Sequence, residues 1–152
     1  MTDIRTTYLF TIVLNLGEIQ LLGKTPLGER RVALIEGGSF EGPKLKGIIL
    51  KGGNDWLINR SDGALQLDVR LTLKTEDDHL IGMTYRGYRY GPAAVIDRLN
   101  RGEKVDPSEY YFRAAPFFET SSEKYDWLNR IVTVATGRRL PSGPVYDVFE
   151  VL

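Results

Sequence analysis

The chain has 152 residues, 42% hydrophobic and 26% charged, which fits one globular domain over residues 1–152. Its 20 basic and 20 acidic residues cancel, so nucleic acid and anionic membranes are not expected partners. There is no cysteine and one histidine, which argues against disulfides, thiol chemistry and nitrogen–sulfur metal sites.

Met1–Thr7 lacks the basic-then-apolar order of a signal peptide. No apolar run approaches the ~18 residues needed to span a bilayer. The expected location is therefore the cytoplasm.

Sixteen glycines and seven prolines punctuate short β-type segments. In chain order the predicted strands are Tyr8–Leu14, Glu18–Leu22, Arg31–Glu36, Leu45–Leu50, Trp56–Asn59, Leu65–Lys74, Leu80–Arg89, Tyr110–Glu119, Ile131–Thr136 and Val145–Val151. The connections are too short for crossover helices, so the expected fold class is all-β, an antiparallel barrel or sandwich. Two short helices are expected. Pro92 opens Ala93–Asn100 and Gly102 follows its end. Thr120 with Glu123 forms a capping-box pattern ahead of Lys124–Arg130.

One hairpin can be placed in register. Pairing residues at one constant sum of their numbers sets Leu73 opposite Ile81, Leu71 opposite Met83 and Val69 opposite Tyr85. The opposite face then pairs Asp68 with Arg86 and Arg70 with Thr84. A slip of one residue would scramble both faces.

Chemistry is sought on strands carrying acids, arginines and aromatics. Alternation along Glu109–Thr120 puts Tyr111, Arg113, Phe117 and Glu119 on one side, a mixture suited to a pocket wall. Glu119 and Asp68 are the candidate proton-transfer groups. Arg86 and Arg113 are candidates to hold an anionic oxygen. Tyr85, Tyr111 and Tyr125 offer hydroxyl donors, while Trp56, Phe117 and Trp127 offer apolar surface. The competing structural reading is that the ions neutralise one another and the aromatics fill a core. In Gly52-Gly53-Asn54-Asp55-Trp56 the glycines permit a sharp turn. Asp55 either caps that turn or projects into a cavity mouth, and both readings stay open. His79, beside Glu76, Asp77 and Asp78, reads as a solvated turn residue. The glycines of Leu14–Glu18 and Gly37–Gly42 match no nucleotide-binding loop, so no cofactor and no metal are expected.

Several blocks in order resemble the bacterial and fungal family catalogued as domain of unknown function 3237. They are Gly28–Arg31, Gly37–Gly47, Gly52–Trp56, Asp62-Gly63, Leu67–Arg70, Tyr85–Gly87, Tyr110–Arg113, Phe118–Thr120 and Tyr125–Asn129. The resemblance covers nearly the whole chain and implies a small antiparallel β-barrel, similar to lipocalin-like or allene-oxide-cyclase-like barrels and often oligomeric. It marks Asp55, Asp68, Arg86, Arg113, Glu119 and Asn129 as polar positions of the family pattern. Lys51 stands where the pattern commonly has proline, and Leu57 where it tends to have glutamine.

The expectation is a cofactor-independent enzyme of isomerase, cyclase, lyase or hydratase type, acting on a small apolar or aromatic metabolite. Its expected catalytic residues are Glu119, Asp68, Arg86, Arg113 and Tyr111. Asp55, Trp56, Tyr85, Phe117, Tyr125, Trp127 and Asn129 are the expected ligand contacts. The alternative is a lipocalin-like carrier. A small molecule is the expected partner, and a homo-oligomer the expected assembly.

Overall fold

The computed structural model describes residues 1–152. Alternating apolar residues build nine strands. They are β1 (Thr6–Thr25), β2 (Gly28–Glu41), β3 (Lys46–Ile49), β4 (Gly53–Asn59), β5 (Leu65–Thr75), β6 (Leu80–Tyr90), β7 (Tyr111–Glu119), β8 (Thr133–Leu140) and β9 (Gly143–Val151). The first two predicted strands are one, because β1 absorbs its irregularities as bulges between Asn15 and Gly23 while staying paired to β2.

Every pairing is antiparallel. The order β1-β9-β8-β7-β6-β5-β3-β2, with β1 also paired to β2, closes the sheet into a ring. β3 and β4 share one slot between β2 and β5. β3 pairs with Ser39–Glu41 and β4 with Glu29–Ile35, and Gly52, at φ +115°, makes the turn between them. Nine strands thus form an eight-membered barrel, whose small diameter leaves an interior that side chains largely fill.

The β5–β6 hairpin has the predicted register, with Leu71 opposite Met83, Val69 opposite Tyr85 and Asp68 opposite Arg86. Its loop is closed by Asp78 in the left-handed region, φ 68°, a conformation aspartate tolerates better than most residues. The apolar face of that hairpin is the barrel interior: Leu67, Val69, Leu71, Leu73, Ile81, Met83 and Tyr85 are all buried.

One end of the barrel is sealed by aromatic packing. Phe10 lies against Phe40 and Phe118, with ring centroids 5.5 and 5.8 Å away. Over that end folds a 3-10 turn, Asp126–Arg130, which buries Leu128. It replaces the second predicted helix, and no capping box forms. Thr120 instead uses its N–H to reach Asn129 Oδ1 at 2.8 Å, while Asn129 Nδ2 donates back to the Thr120 carbonyl at 2.9 Å. With both backbone groups of Thr120 held by Asn129, the segment closes as a loop clamp rather than an α-helix.

The first predicted helix is present as α1 (Ala93–Asn100). Gly102, at φ +78°, ends it as a left-handed residue. Val95 and Leu99 are its buried positions, and they lay α1 across the end of the barrel opposite the aromatic seal. No helix is long and apolar enough to cross a membrane.

Candidate functional site

Strand parity decides which side chains see the barrel interior. On β7 the inward residues are Phe112, Ala114, Pro116 and Phe118, so Tyr111, Arg113, Phe117 and Glu119 stand on the outer surface. On the β5–β6 hairpin the same rule turns Asp68 and Arg86 outward. The five residues expected to be catalytic do share one face, as the register required, but it is the convex outside of the barrel. The five do not converge on one concave pocket. An open groove of about 470 Å³ on that face is lined by Arg70, Thr84, Phe117 and Glu119 and takes in none of the other four, while the interior of so small a barrel is taken by the apolar parity of both segments.

Their local contacts are those of a solvated sheet surface. Arg86 Nε lies 3.9 Å from Asp68 Oδ1, with the two side chains 81% and 51% exposed, a pair that contributes ~0–1 kcal/mol. Tyr111 stacks on Tyr90 at 4.9 Å, and the Arg113 guanidinium lies 5.5 Å from the Tyr111 ring. Glu119 is exposed.

The expected ligand contacts divide. Trp56 and Phe117 point outward, 44% and 53% exposed. Tyr125, Trp127 and Asn129 belong to the sealed end. Tyr125 donates to Asp77 Oδ1 at 2.9 Å, Lys44 sits 4.9 Å from the Trp127 ring, and Asn129 clamps Thr120. His79 rests edge-on against Tyr125, 5.4 Å between centroids. Only Asp55 and Tyr85 of that group face the interior at the α1 end.

There the barrel holds a cavity of about 470 Å³. β4 contributes Asp55 and Leu57, and β5 contributes Leu65 and Leu67. Phe112 of β7 and Tyr146 of β9 form the opposite wall, and Leu99 and Asn100 of α1 stand at the mouth. Three guanidiniums complete the lining: Arg31 of β2, Arg89 of β6 and Arg139 of β8. A larger groove, about 560 Å³, lies on the outside between Ser39–Lys46 and Lys74–Asp78. It opens broadly to solvent and gathers no buried ionisable group, so we assign it no chemistry.

Asp55 is inward because β4 alternates against β2, Asp55 opposite Ala33 and Leu57 opposite Arg31. Its Oδ1 accepts the Asp68 backbone N–H at 3.0 Å, a hydrogen bond that favours the carboxylate. Burial outweighs that bond, and the Asp68 charge adds to it, so the Asp55 pKa is pushed up to about 7.

Beneath it Tyr85 and Tyr146 are packed edge to face, centroids 5.0 Å apart. Burial is the main cause that raises both phenol pKa values, and the Asp55 charge adds to it. Both hydroxyls therefore stay protonated and able to donate.

The arginines are the unexpected part. Arg31 Nε, Arg89 Nε and Arg139 Nη1 are buried with no hydrogen-bond partner in the protein. None of the three side chains forms an ion pair with a carboxylate. Burial lowers the Arg89 pKa first, and the neighbouring Arg139 and Arg31 charges lower it further, against the tyrosines Tyr110 and Tyr146. Sequence alternation carried a signal for them. Arg89 continues the inward series Ile81, Met83, Tyr85, Gly87; Arg139 follows Ala135 and Gly137; and Arg31 precedes Ala33 and Ile35. A charge at the end of an apolar series marks where a barrel interior turns polar.

Phe112 covers Gly137, where a Cβ would come within 2.7 Å of the ring. It also meets Tyr146 edge to face, centroids 5.2 Å apart. The Gly137→Ala change is expected to destabilise the fold by ~1–3 kcal/mol and to push the ring into the cavity. A denaturant midpoint shift measures the first effect.

The comparisons with known proteins agree with this architecture. A UPF0311 protein of Bradyrhizobium diazoefficiens is 36% identical over 147 residues, 97% of this chain and 96% of that one. A solved structure from Acinetobacter baumannii, described as a beta-barrel like protein, superposes with a TM-score of 0.87 at 40% identity. It covers 100% of this chain and 98% of its own. More distant is a protein of the fungus Penicillium herquei named a hydroalkoxylation enzyme. It is 25% identical over 129 residues, 85% of this chain and 71% of that one. An enzyme structure from the same fungus shares the fold, TM-score 0.76 at 22% identity over 100% of this chain and 97% of that one. The sequence profile described as a protein of unknown function, number 3237, matches residues 4–151, and the chain belongs to that family.

Proposed function

We propose that the protein is a cofactor-independent enzyme whose chemistry takes place in the barrel cavity, with Asp55 as the group that moves a proton. The observation that carries this reading is the placement of one carboxyl, poised near neutrality, between an apolar wall and three unpaired guanidiniums. A carboxyl titrating near the working pH serves equally as acid and base. Arg31, Arg89 and Arg139, with the Tyr146 hydroxyl, are suited to stabilise an oxygen that becomes negative during reaction.

The reaction class that fits is an intramolecular addition or isomerisation, which needs no oxidant or reductant. The name of the Penicillium relative supports an addition of O–H across C=C. In such a step Asp55 takes the proton of a substrate hydroxyl as its oxygen bonds to one carbon of an alkene conjugated to a carbonyl. The π electrons pass to the carbonyl oxygen, held by the arginines. When they return, Asp55 gives the same proton to the other carbon. One C–O and one C–H bond form, one π bond and one O–H bond are lost, and the product is an isomer of the substrate. Leu57, Leu67 and Phe112 would seat the apolar body of the molecule.

The test is incubation of a small-metabolite extract with the wild type, Asp55→Asn and Glu119→Gln, followed by mass spectrometry. Conversion of a compound into an isomer of equal mass by the wild type and Glu119→Gln, and not by Asp55→Asn, is the expected result. Retention of a ligand without conversion by all three would make the barrel a carrier.

A further inference from the structure

The cavity contains more positive charge than its one carboxyl can balance. Arg31, Arg89 and Arg139 come from three different strands, and each places a buried nitrogen without a protein partner at or beside the same space. Buried guanidinium nitrogens are costly to leave unpaired, and no carboxylate ion pair holds any of the three. The single acid among them is itself disfavoured as an anion by its burial.

We infer that the cavity binds a substrate that is already an anion, its carboxylate or ionised enol or phenol oxygen held by Arg31, Arg89 and Arg139 and its apolar body lying on Leu57, Leu67 and Phe112. This rests on the cavity being the site of the proposed reaction, and it adds the charge class of the molecule. Guanidinium donors match an oxygen anion in geometry and charge, and hydrogen bonds to charged groups are stronger than neutral ones.

A second consequence follows from the groups that face Asp55. These are Arg31 on β2, Tyr85 and Arg89 on β6, Arg139 on β8 and Tyr146 on β9, with the charge of Asp68 acting from the outer face of β5. An anion among them repels the Asp55 carboxylate and favours its protonated form. Binding near neutral pH therefore takes up a proton on Asp55, and affinity falls as pH rises above about 7. For an ionised enol or phenol this complex is the state the proposed step reaches once the hydroxyl proton sits on Asp55, and the neutral carboxyl then supplies that proton to carbon.

The experiment is calorimetric titration of the wild type with 2-naphthoate, with 2,4-dinitrophenolate and with the neutral 2-naphthamide. Each titration is run in two buffers of different ionisation enthalpy. At least one anion should bind about tenfold or more tighter than the amide, and the two anions separate carboxylate from phenolate recognition. Arg89→Met should lose about tenfold in anion affinity with the amide unchanged, and Arg139→Met provides the same reading should the first variant fold poorly. Asp55→Asn should keep anion binding and lose the proton uptake. Equal affinity for anions and amide, no binding of either anion, or full affinity in the folded arginine variants would overturn the inference. None of these readings depends on turnover, so they stand apart from the isomerisation test, which is read from conversion by the wild type and its loss in Asp55→Asn.

Discussion

Asp55→Asn is expected to make the protein more stable, and by an amount that depends on pH. A carboxyl normally titrates near 4, whereas burial holds Asp55 at about 7. The folded chain therefore binds more protons than the unfolded chain between these values, and wild-type stability falls as pH rises through that window. Below about pH 4 both states are protonated and the group costs nothing. Above about 7 the ionised carboxylate must be accommodated in a poorly solvated site, at up to ~4 kcal/mol. Asparagine keeps the acceptor for the Asp68 N–H and never ionises. The variant should match the wild type near pH 4 and exceed it near pH 8, with the gap opening between. Denaturant unfolding at a series of pH values measures it, and a gap independent of pH would contradict the assignment.

The second large effect concerns the sealed end. Phe10→Ala should cost ~3–5 kcal/mol, because the ring is fully buried and holds Phe40 and Phe118 in an aromatic cluster that the surrounding strands cannot collapse to replace. Phe117→Ala removes an equally large ring from the outer surface, where it is 53% exposed, and should stay within ~1 kcal/mol. Comparable losses for the two variants, read from their denaturation midpoints, would mean that Phe117 is covered in solution, as an assembly through β6 and β7 would require.

The barrel was legible in the sequence because its strands are amphipathic, and one register satisfied every inward pair from Leu73–Ile81 to Val69–Tyr85. That logic fixed which residues share a face without fixing which face is concave. Asp68, Arg86, Arg113 and Glu119 were read as a pocket wall because polar groups cluster on their side. In a closed eight-membered barrel the clustered polar side is the solvated outside. The informative residues were instead the few charges at apolar parity: Asp55, Arg31, Arg89 and Arg139. Each sits beside small or aliphatic neighbours on its own strand, and each was outnumbered locally by charges that simply face water. Strand continuity was hidden for a different reason. The bulges in β1 interrupt the alternation near Asn15–Gly17, so one long strand reads as two.

Asn129, Tyr125 and Trp127 had a pattern but no role that spacing alone supplies. Their contacts explain them, since each helps close the aromatic end of the barrel, through Thr120, Asp77 and Lys44.

The placement of the chemistry inside the barrel rests above all on the state of one carboxyl. A carbon-13 NMR titration of the Asp55 side-chain carboxyl, assigned by comparison with Asp55→Asn, reads that state without any substrate. The expected midpoint is about 7. A midpoint near 4, the ordinary aspartate value, would show a solvated carboxylate and remove Asp55 as the proton-transfer group.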